Sequence, residues 1–221
     1  NFATVWQRAN FPVYMKNSII VTGTSVALIG FISSLAAYAL ARYRFRWNNA
    51  LYIYFLAGLM VPIRLGVLPL FLLMRDLGLL DTHASLILVY VASGMPMSVF
   101  ILTGFFRTLP QELEFAARID GCTEFQVFYK VMLPLVRPAL ATVMLINFVP
   151  LWNDFFFPLI FLRNDALKTI PLGMTVFFGQ YETNWGVVFA GMLLASLPLL
   201  ALYLLMSQQF IKGLTAGAVK G

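Results

Sequence analysis

NSIIVTGTSVALIGFISSLAAYALA, residues 17 to 41, contains no formal charge. At about 1.5 Å per helical residue it reaches roughly 37 Å, enough to cross a hydrocarbon core of about 30 Å with some tilt. Four more runs read the same way: Leu51 to Met74, interrupted only by Arg64; Ala84 to Phe106; Val136 to Leu162, containing Asp154; and Val187 to Ser207. All are continuously apolar and too long for the alternating strands of a barrel. With 61% hydrophobic and 11% charged residues, the 221-residue chain is composed for a bilayer and not for water. The expected fold class is all-α and integral to the membrane, a polytopic helical bundle with five transmembrane helices in one transmembrane domain, 1-221.

Five spans put the termini on opposite faces, and cytoplasmic segments collect Lys and Arg. One face carries nine basic residues: Arg42, Arg44, Arg46, Arg107, Arg118, Lys130, Arg137, Lys212 and Lys220. The other carries five: Arg8, Lys16, Arg75, Arg163 and Lys168. The richer face is assigned to the cytoplasm, which places the C-terminus inside and the N-terminus outside. The opening NFATVWQRANFPVYMKN has no basic n-region and no apolar core, so it does not read as a signal peptide. A polar start on the far side implies an earlier span, making six in the full chain. The net charge of +6 is spread over short loops and reflects orientation, not nucleic-acid binding.

The chemistry inventory is sparse. One cysteine, Cys122, excludes an internal disulfide, and one histidine, His83, excludes a His-rich metal cluster and reads as a solvated loop residue. There is no phosphate-cradling G-x-x-x-x-G-K-[ST] run, no G-x-S-x-G elbow and no H-E-x-x-H zinc motif. No enzymatic site is expected, and no metal or cofactor bound by the chain itself. What remains is a path across the membrane or an anchor for something else.

Charge is concentrated instead in ELEFAARIDGCTEFQVFYKVMLP, residues 112 to 134, within a loop from 108 to 134. Thr108 and Gln111 have capping-box spacing, Pro110 suits a first turn, and Glu112 and Glu114 put negative charge near the helix N-terminus. Arg118 falls late in this helix, and Gly121 can end it in the left-handed conformation. Thr123 and Gln126 repeat the capping spacing and open a second helix towards Pro134 and Pro138. Ala116 and Ala117 permit close approach, and Leu113 and Phe115 could fill an apolar slot on a partner. An interfacial helix lying on lipid headgroups fits the same residues.

Two charges fall inside spans, where they are functional by default. Arg64 lies between Pro62 and Pro69, so its span is expected to kink or unwind; the residue either faces a water-filled cavity or snorkels to the interface. Trp152, Asn153 and Asp154, followed by three phenylalanines, combine hydrogen-bonding groups with aromatic faces, as a sugar requires. An interfacial aromatic belt reads the same way. The segment RNDALKTIPLGMTVFFGQYETNWG, residues 163 to 186, is too apolar for a solvated linker, so a cover is expected over it. Within the cytoplasmic tail, 208-221, GLTAGAVKG (213 to 221) reads as a frayed terminus by composition.

The order E-x-A-A-R-I-D-G, a gap, then L-P resembles the EAA loop of permease subunits of binding-protein-dependent ABC importers, with Ala116, Ala117, Asp120, Gly121, Leu133 and Pro134 in that arrangement. NSIIVTGTSVALIGFISSLAAYALARYRF (17 to 45), VPIRLGVLPLFLLMRDLGLLDT (61 to 82), WNDFFFPLIFL (152 to 162) and GLTAGAVKG (213 to 221) resemble the smaller permease of maltose-type carbohydrate importers. The resemblance implies the type I importer permease fold and a coupling helix that enters a cleft on a cytoplasmic ATPase. The Glu that usually precedes the two alanines is Phe115 here, so Glu112 or Glu114 substitutes for it, or Phe115 makes an apolar contact.

By the same resemblance the outer loop would touch a binding protein through Gln180, Tyr181 and Trp185, and the tail would reach the ATPase interface through Gly217 and Lys220. The implied partners are a second homologous permease, two copies of an ABC ATPase holding ATP and Mg, an extracytoplasmic substrate-binding protein, a carbohydrate and membrane lipid. The implied location is the bacterial or archaeal cytoplasmic membrane. Two other classes stay open on the residues alone: an ion-coupled secondary transporter using Arg64 and Asp154, and a non-transporting scaffold.

Overall fold

A computed structural model describes the backbone of residues 1–8, 10–177 and 184–218, and the side chains of those residues as far as Leu204, that of Arg8 excepted. Every regular element among the described residues is helical. A short helix, α1 (Phe2–Arg8), precedes α2 (Phe11–Arg42), which begins before the expected span and ends at its first arginine. The expected span from 51 to 74 is two helices: α3 (Asn48–Met60) and, after a 3-10 turn at Ile63–Gly66, α4 (Val67–Asp76). The helix breaks between them at Val61 and Pro62. Pro62 accounts for the position, because a residue before proline is driven out of helical geometry, and Val61 is extended at φ −85°, ψ 112°.

α5 (His83–Thr108) is long and continuous despite Pro96, and α6 (Glu112–Ile119) is the short helix expected in the charged loop. α7 (Glu124–Leu135) contains a π segment at Val127–Met132 and meets α8 (Arg137–Trp152) at a bend of 76°. The expected span from 136 to 162 breaks after Trp152 and resumes as α9 (Phe156–Phe161). A short α10 (Ile170–Gly173) and a final α11 (Trp185–Ala218) complete the chain. The tail expected to fray is helical as far as Ala218, continuing the last span without a break. Among the described residues, three helices are long and apolar enough to cross a membrane, and up to five spans result if each bent pair counts as one.

The chain divides into two compact units. The first comprises Asn1–Val26, Ile63–Val91 and Phe148–Leu205; the second is built chiefly from Ala27–Pro62 and Ala92–Asn147. In the first, Val5, Phe11, Tyr14, Trp152, Ile170, Met174, Val187 and Ala190 form one core cluster. Within the 163 to 186 segment, Ile170 and Met174 are covered by this chain's own N-terminal helices. Gly173 is required there, because a Cβ would collide with the Tyr14 ring. In the second unit small residues set the helix contacts, as they do where lipid provides no hydrophobic drive between helices. A Cβ on Gly58 would stand 2.9 Å from Pro96, and one on Gly94 would meet Asn147 and Ile29.

The charged loop as candidate functional site

α6 does not start on the expected capping box. Thr108 is still inside α5 and donates its hydroxyl to the Phe105 carbonyl at 2.8 Å, and Gln111 makes no side-chain cap. The second box does form: Gln126 N donates to Thr123 Oγ1 (3.4 Å) and Thr123 N donates to Gln126 Oε1 (2.9 Å). Between them, Gly121 N donates to Arg118 O and Cys122 N to Ala117 O, both at 3.0 Å, closing a Schellman motif. This needs a left-handed residue, and Gly121 has φ +82°.

What fixes α6 in place is an ion pair that sequence reading missed. Arg42 Nε and Glu114 Oε1 stand 2.6 Å apart, with only 4% and 7% of their side chains exposed. The N–H does not point at that oxygen, so the contact is charge against charge. Arg42 Nη2 also donates to the Leu109 carbonyl at 2.8 Å and more weakly to that of Pro110. The end of α2 therefore grips both the approach to α6 and its first turn. Glu114 is consequently not an outward-facing acid: its charge is paired inside the chain.

A second, solvent-facing layer lies over this pair. Arg118 donates to Glu124 through Nε (2.7 Å) and Nη2 (3.1 Å) and reaches Glu114 at 3.5 Å, while Tyr43 donates its hydroxyl to Glu124 at 2.6 Å. The Arg118 and Tyr43 bonds hold the Glu124 carboxyl down at about 2. Burial and then the Glu124 bond push the Tyr43 phenol up, and the Glu124 bond raises Arg118 further.

With its acid turned in, α6 turns apolar residues out. Phe115 is 55% exposed and Ile119, one turn on, 85%. Leu113, Ala116, Asp120 and Glu112 are also exposed, whereas Ala117 is buried against the unit. Ala116 and Ala117 thus face different surroundings. Leu133 and Pro134 are half-buried in the last turn of α7, where proline supplies no N–H just after the π segment.

The residues proposed for a path lie in the first unit and separate into different roles. Trp152 is 4% exposed, stacks on Phe148 and donates Nε1 to the Ala195 carbonyl at 3.1 Å. Asn153 is exposed and, with Trp152, Ser196, Met192 and Leu199, lines a cavity of about 340 Å³. Asp154 accepts from Tyr90 Oη (2.7 Å) and from the amides of Phe156 (3.3 Å) and Phe157 (3.2 Å) at the start of α9. Arg64 is not in the middle of a straight span. It sits exposed in the 3-10 turn after the break, its guanidinium 5.6 Å from the Phe156 ring centroid. No ion pair joins it to Asp154 among the described residues.

His83 is not a free loop residue either: it opens α5 and its Nε2 lies 3.0 Å from the Leu167 carbonyl. Nearby, Asp81 takes a left-handed φ of 58° and accepts from the amides of Arg163 (2.8 Å) and Asn164 (2.9 Å), which lower its pKa. Trp185 is exposed at the start of α11. Gln180, Tyr181 and Lys220 lie outside the described residues, and Gly217 falls within the described backbone of α11.

Residues 20–214 match the family model described as "Binding-protein-dependent transport system inner membrane component". A Caldicellulosiruptor sp. (strain Rt8B.4) protein named for an ABC transporter permease is 44% identical, covering 100% of this chain and 80% of the relative. The melibiose/raffinose/stachyose import permease protein MelC of Bacillus subtilis (strain 168) is 38% identical over 100% of this chain and 80% of its own length. The arabinooligosaccharides transport system permease protein AraQ of Halalkalibacterium halodurans is 36% identical over 100% of this chain and 79% of its own length. A crystal structure of a bacterial ABC transporter involved in import of the acidic polysaccharide alginate has a chain that superposes with a TM-score of 0.84, covering 95% of this chain and 78% of that one. At 24% identity that likeness shows the fold alone.

Proposed function

The chain belongs to the family of binding-protein-dependent transport system inner membrane components, and on that basis we propose that it is one half of the membrane channel of an ABC importer for an oligosaccharide or related sugar. The sugar class is supported by relatives named for melibiose, raffinose and stachyose, for diacetylchitobiose and for arabinooligosaccharides. A second permease, a pair of ATPase subunits holding ATP and Mg, and an extracytoplasmic binding protein complete the assembly. The chain sits in the cytoplasmic membrane of a bacterium or archaeon. Its arginine-rich ends and C-terminus face the cytoplasm by the excess of basic residues on that side.

The observation that carries this reading is the inside-out α6. A short helix that buries Glu114 and exposes Phe115 and Ile119 is a plug for an apolar slot on another protein. Its reverse face is locked to α2 by Arg42, so a displacement of the plug is passed to the first long helix without slack. Nucleotide closes the ATPase pair, the plug is carried along, and the spans alternate between outward and inward access. The loop transmits and supplies no energy of its own: reversing a strongly biased equilibrium needs about 5.5 kcal/mol of differential binding, which nucleotide and partners provide. Phe115, in place of the usual Glu, makes the contact apolar.

The ion-coupled alternative is less well supported, since Asp154 is committed to Tyr90 and two amides and Arg64 to an aromatic face. Asn153, on the wall of the cavity, is the polar group we assign to the sugar path. Gln180, Tyr181 and Trp185 are proposed for the binding-protein contact, and Gly217 and Lys220 for the ATPase interface.

The test is to purify the complex in lipid through a tag on this chain and to measure ATP hydrolysis with and without binding protein, in wild type and in Gly121→Pro. Stimulated hydrolysis in the first and its loss in the second is expected. Absence of any copurifying ATPase from the wild type would overturn the assignment.

A further inference from the structure

We propose that a basic cavity in the second unit binds a phosphate-bearing anion, and that an anionic phospholipid headgroup supplies it. The cavity holds about 360 Å³, within the usual range for small-molecule sites, and its wall includes Arg44, Arg46 and Arg107 with Tyr43, Asn48 and Asn49. It gathers the turn after α2, the start of α3 and the end of α5, and no acidic residue contributes to it.

Among the described residues the three arginines have no carboxylate partner. The nearby acids that form ion pairs are taken, Glu114 by Arg42 and Arg118 and Glu124 by Arg118. Two of the guanidinium groups are nonetheless held in position. Arg107 lies 4.8 Å from the Tyr52 ring centroid and Arg46 lies 5.5 Å from that of Trp47. An aromatic face orients a cation without neutralising it. The backbone of the turn is held as well, because Asn48 Nδ2 donates to the carbonyls of Tyr43 (2.8 Å) and Leu40 (3.2 Å). The result is a cluster of three forked donors, two of them oriented by an aromatic face, of the kind that matches phosphate oxygens.

The rim separates a lipid from a free ion. Phe45, on the cavity wall, and Trp47, beside Arg46, are exposed aromatic side chains, an arrangement suited to acyl chains and to the interfacial zone of a bilayer and without use to inorganic phosphate. Basic pockets between membrane helices on the cytoplasmic side recognise anionic headgroups by this combination. The inference depends on the permease reading only in placing this end of the helices at a headgroup region, and lipid retention can be read without transport.

The intact complex in mild detergent is equilibrated with phosphatidylglycerol or phosphatidylcholine, and the lipid retained is counted by native mass spectrometry. Wild type is expected to hold one phosphatidylglycerol per copy of this chain in preference to phosphatidylcholine. Each basic residue near an anionic surface contributes roughly fivefold, so Arg44→Gln/Arg46→Gln/Arg107→Gln should lose more than about tenfold in retention. The corresponding triple lysine variant, which keeps charge and loses the fork, should fall between. Equal retention by wild type and the glutamine variant, or no preference over phosphatidylcholine in wild type, overturns the proposal. Displacement of the lipid by inorganic phosphate would assign the cavity to the free ion and likewise overturn it. If the triple variant does not assemble, Arg107→Gln alone carries the same comparison. Retained phosphatidylglycerol in a complex without binding-protein-stimulated ATPase would count against the permease reading and leave the lipid site standing.

Discussion

Replacing Glu114 by Gln removes one charge from a pair whose atoms stand 2.6 Å apart in a nearly solvent-free setting. At an effective dielectric of about 20, two unit charges at that distance attract by about 6 kcal/mol, much of which offsets their desolvation. Losing one partner of a buried pair costs about 3–5 kcal/mol, because the other charge is left uncompensated. Arg42 keeps its bonds to the carbonyls of Leu109 and Pro110, so the lower figure applies. About 3 kcal/mol shifts the opening equilibrium of the α6 segment roughly a hundredfold. The assay is limited trypsin digestion of the complex in mild detergent, following the cut after Arg118, with the cut after exposed Arg75 as internal control. Where opening is fast relative to cleavage, the rate follows the open population. The variant should be cut after Arg118 on the order of a hundred times faster, and Arg42→Met/Glu114→Leu, which leaves no buried charge, should return close to wild type. Wild-type cleavage in Glu114→Gln would refute the view that this pair holds α6.

Three further outcomes are expected. Gly173→Ala should destabilise the purified complex by about 1–3 kcal/mol of overpacking, read as a lower thermal midpoint, with partial recovery on adding Tyr14→Leu, because the new Cβ meets the Tyr14 ring. Asn147→Leu and Ser98→Ala, which break the 3.0 Å buried bond between α8 and α5, should each cost about 0.6 kcal/mol in the same measurement and should not be additive. The contribution of Glu124 to anchoring the loop, small because the pair is solvent-facing, should be complete above its ordinary value of 4.5 and disappear as pH falls through about 2, since its folded value is depressed; cleavage after Arg118 by an acid-tolerant protease of the same specificity, compared between wild type and Glu124→Gln, should converge at the acid end of that window.

Much of this protein was determined by its sequence alone. Long uncharged runs leave no alternative to helices in lipid, since every backbone donor must be satisfied within its own segment. The helix ends were legible where the signal is local: Pro62 breaks a span because it forbids helical geometry at Val61, Gly121 closes α6 because a left-handed residue is needed, and Thr123 and Gln126 cap α7 because three-residue spacing suffices. The break at Asn153–Phe155 was not legible, because it depends on Asp154 being claimed by Tyr90 and by the amides of α9. Glu114 shows the limit most clearly. Its local pattern, an acid in the first turn of an exposed helix, describes a residue facing water, and its actual partner lies far back along the chain at Arg42. Only the tertiary structure decides which of several like-charged residues is buried against which cation. Charge pairing depends on distance in space, and the sequence fixes only distance along the chain.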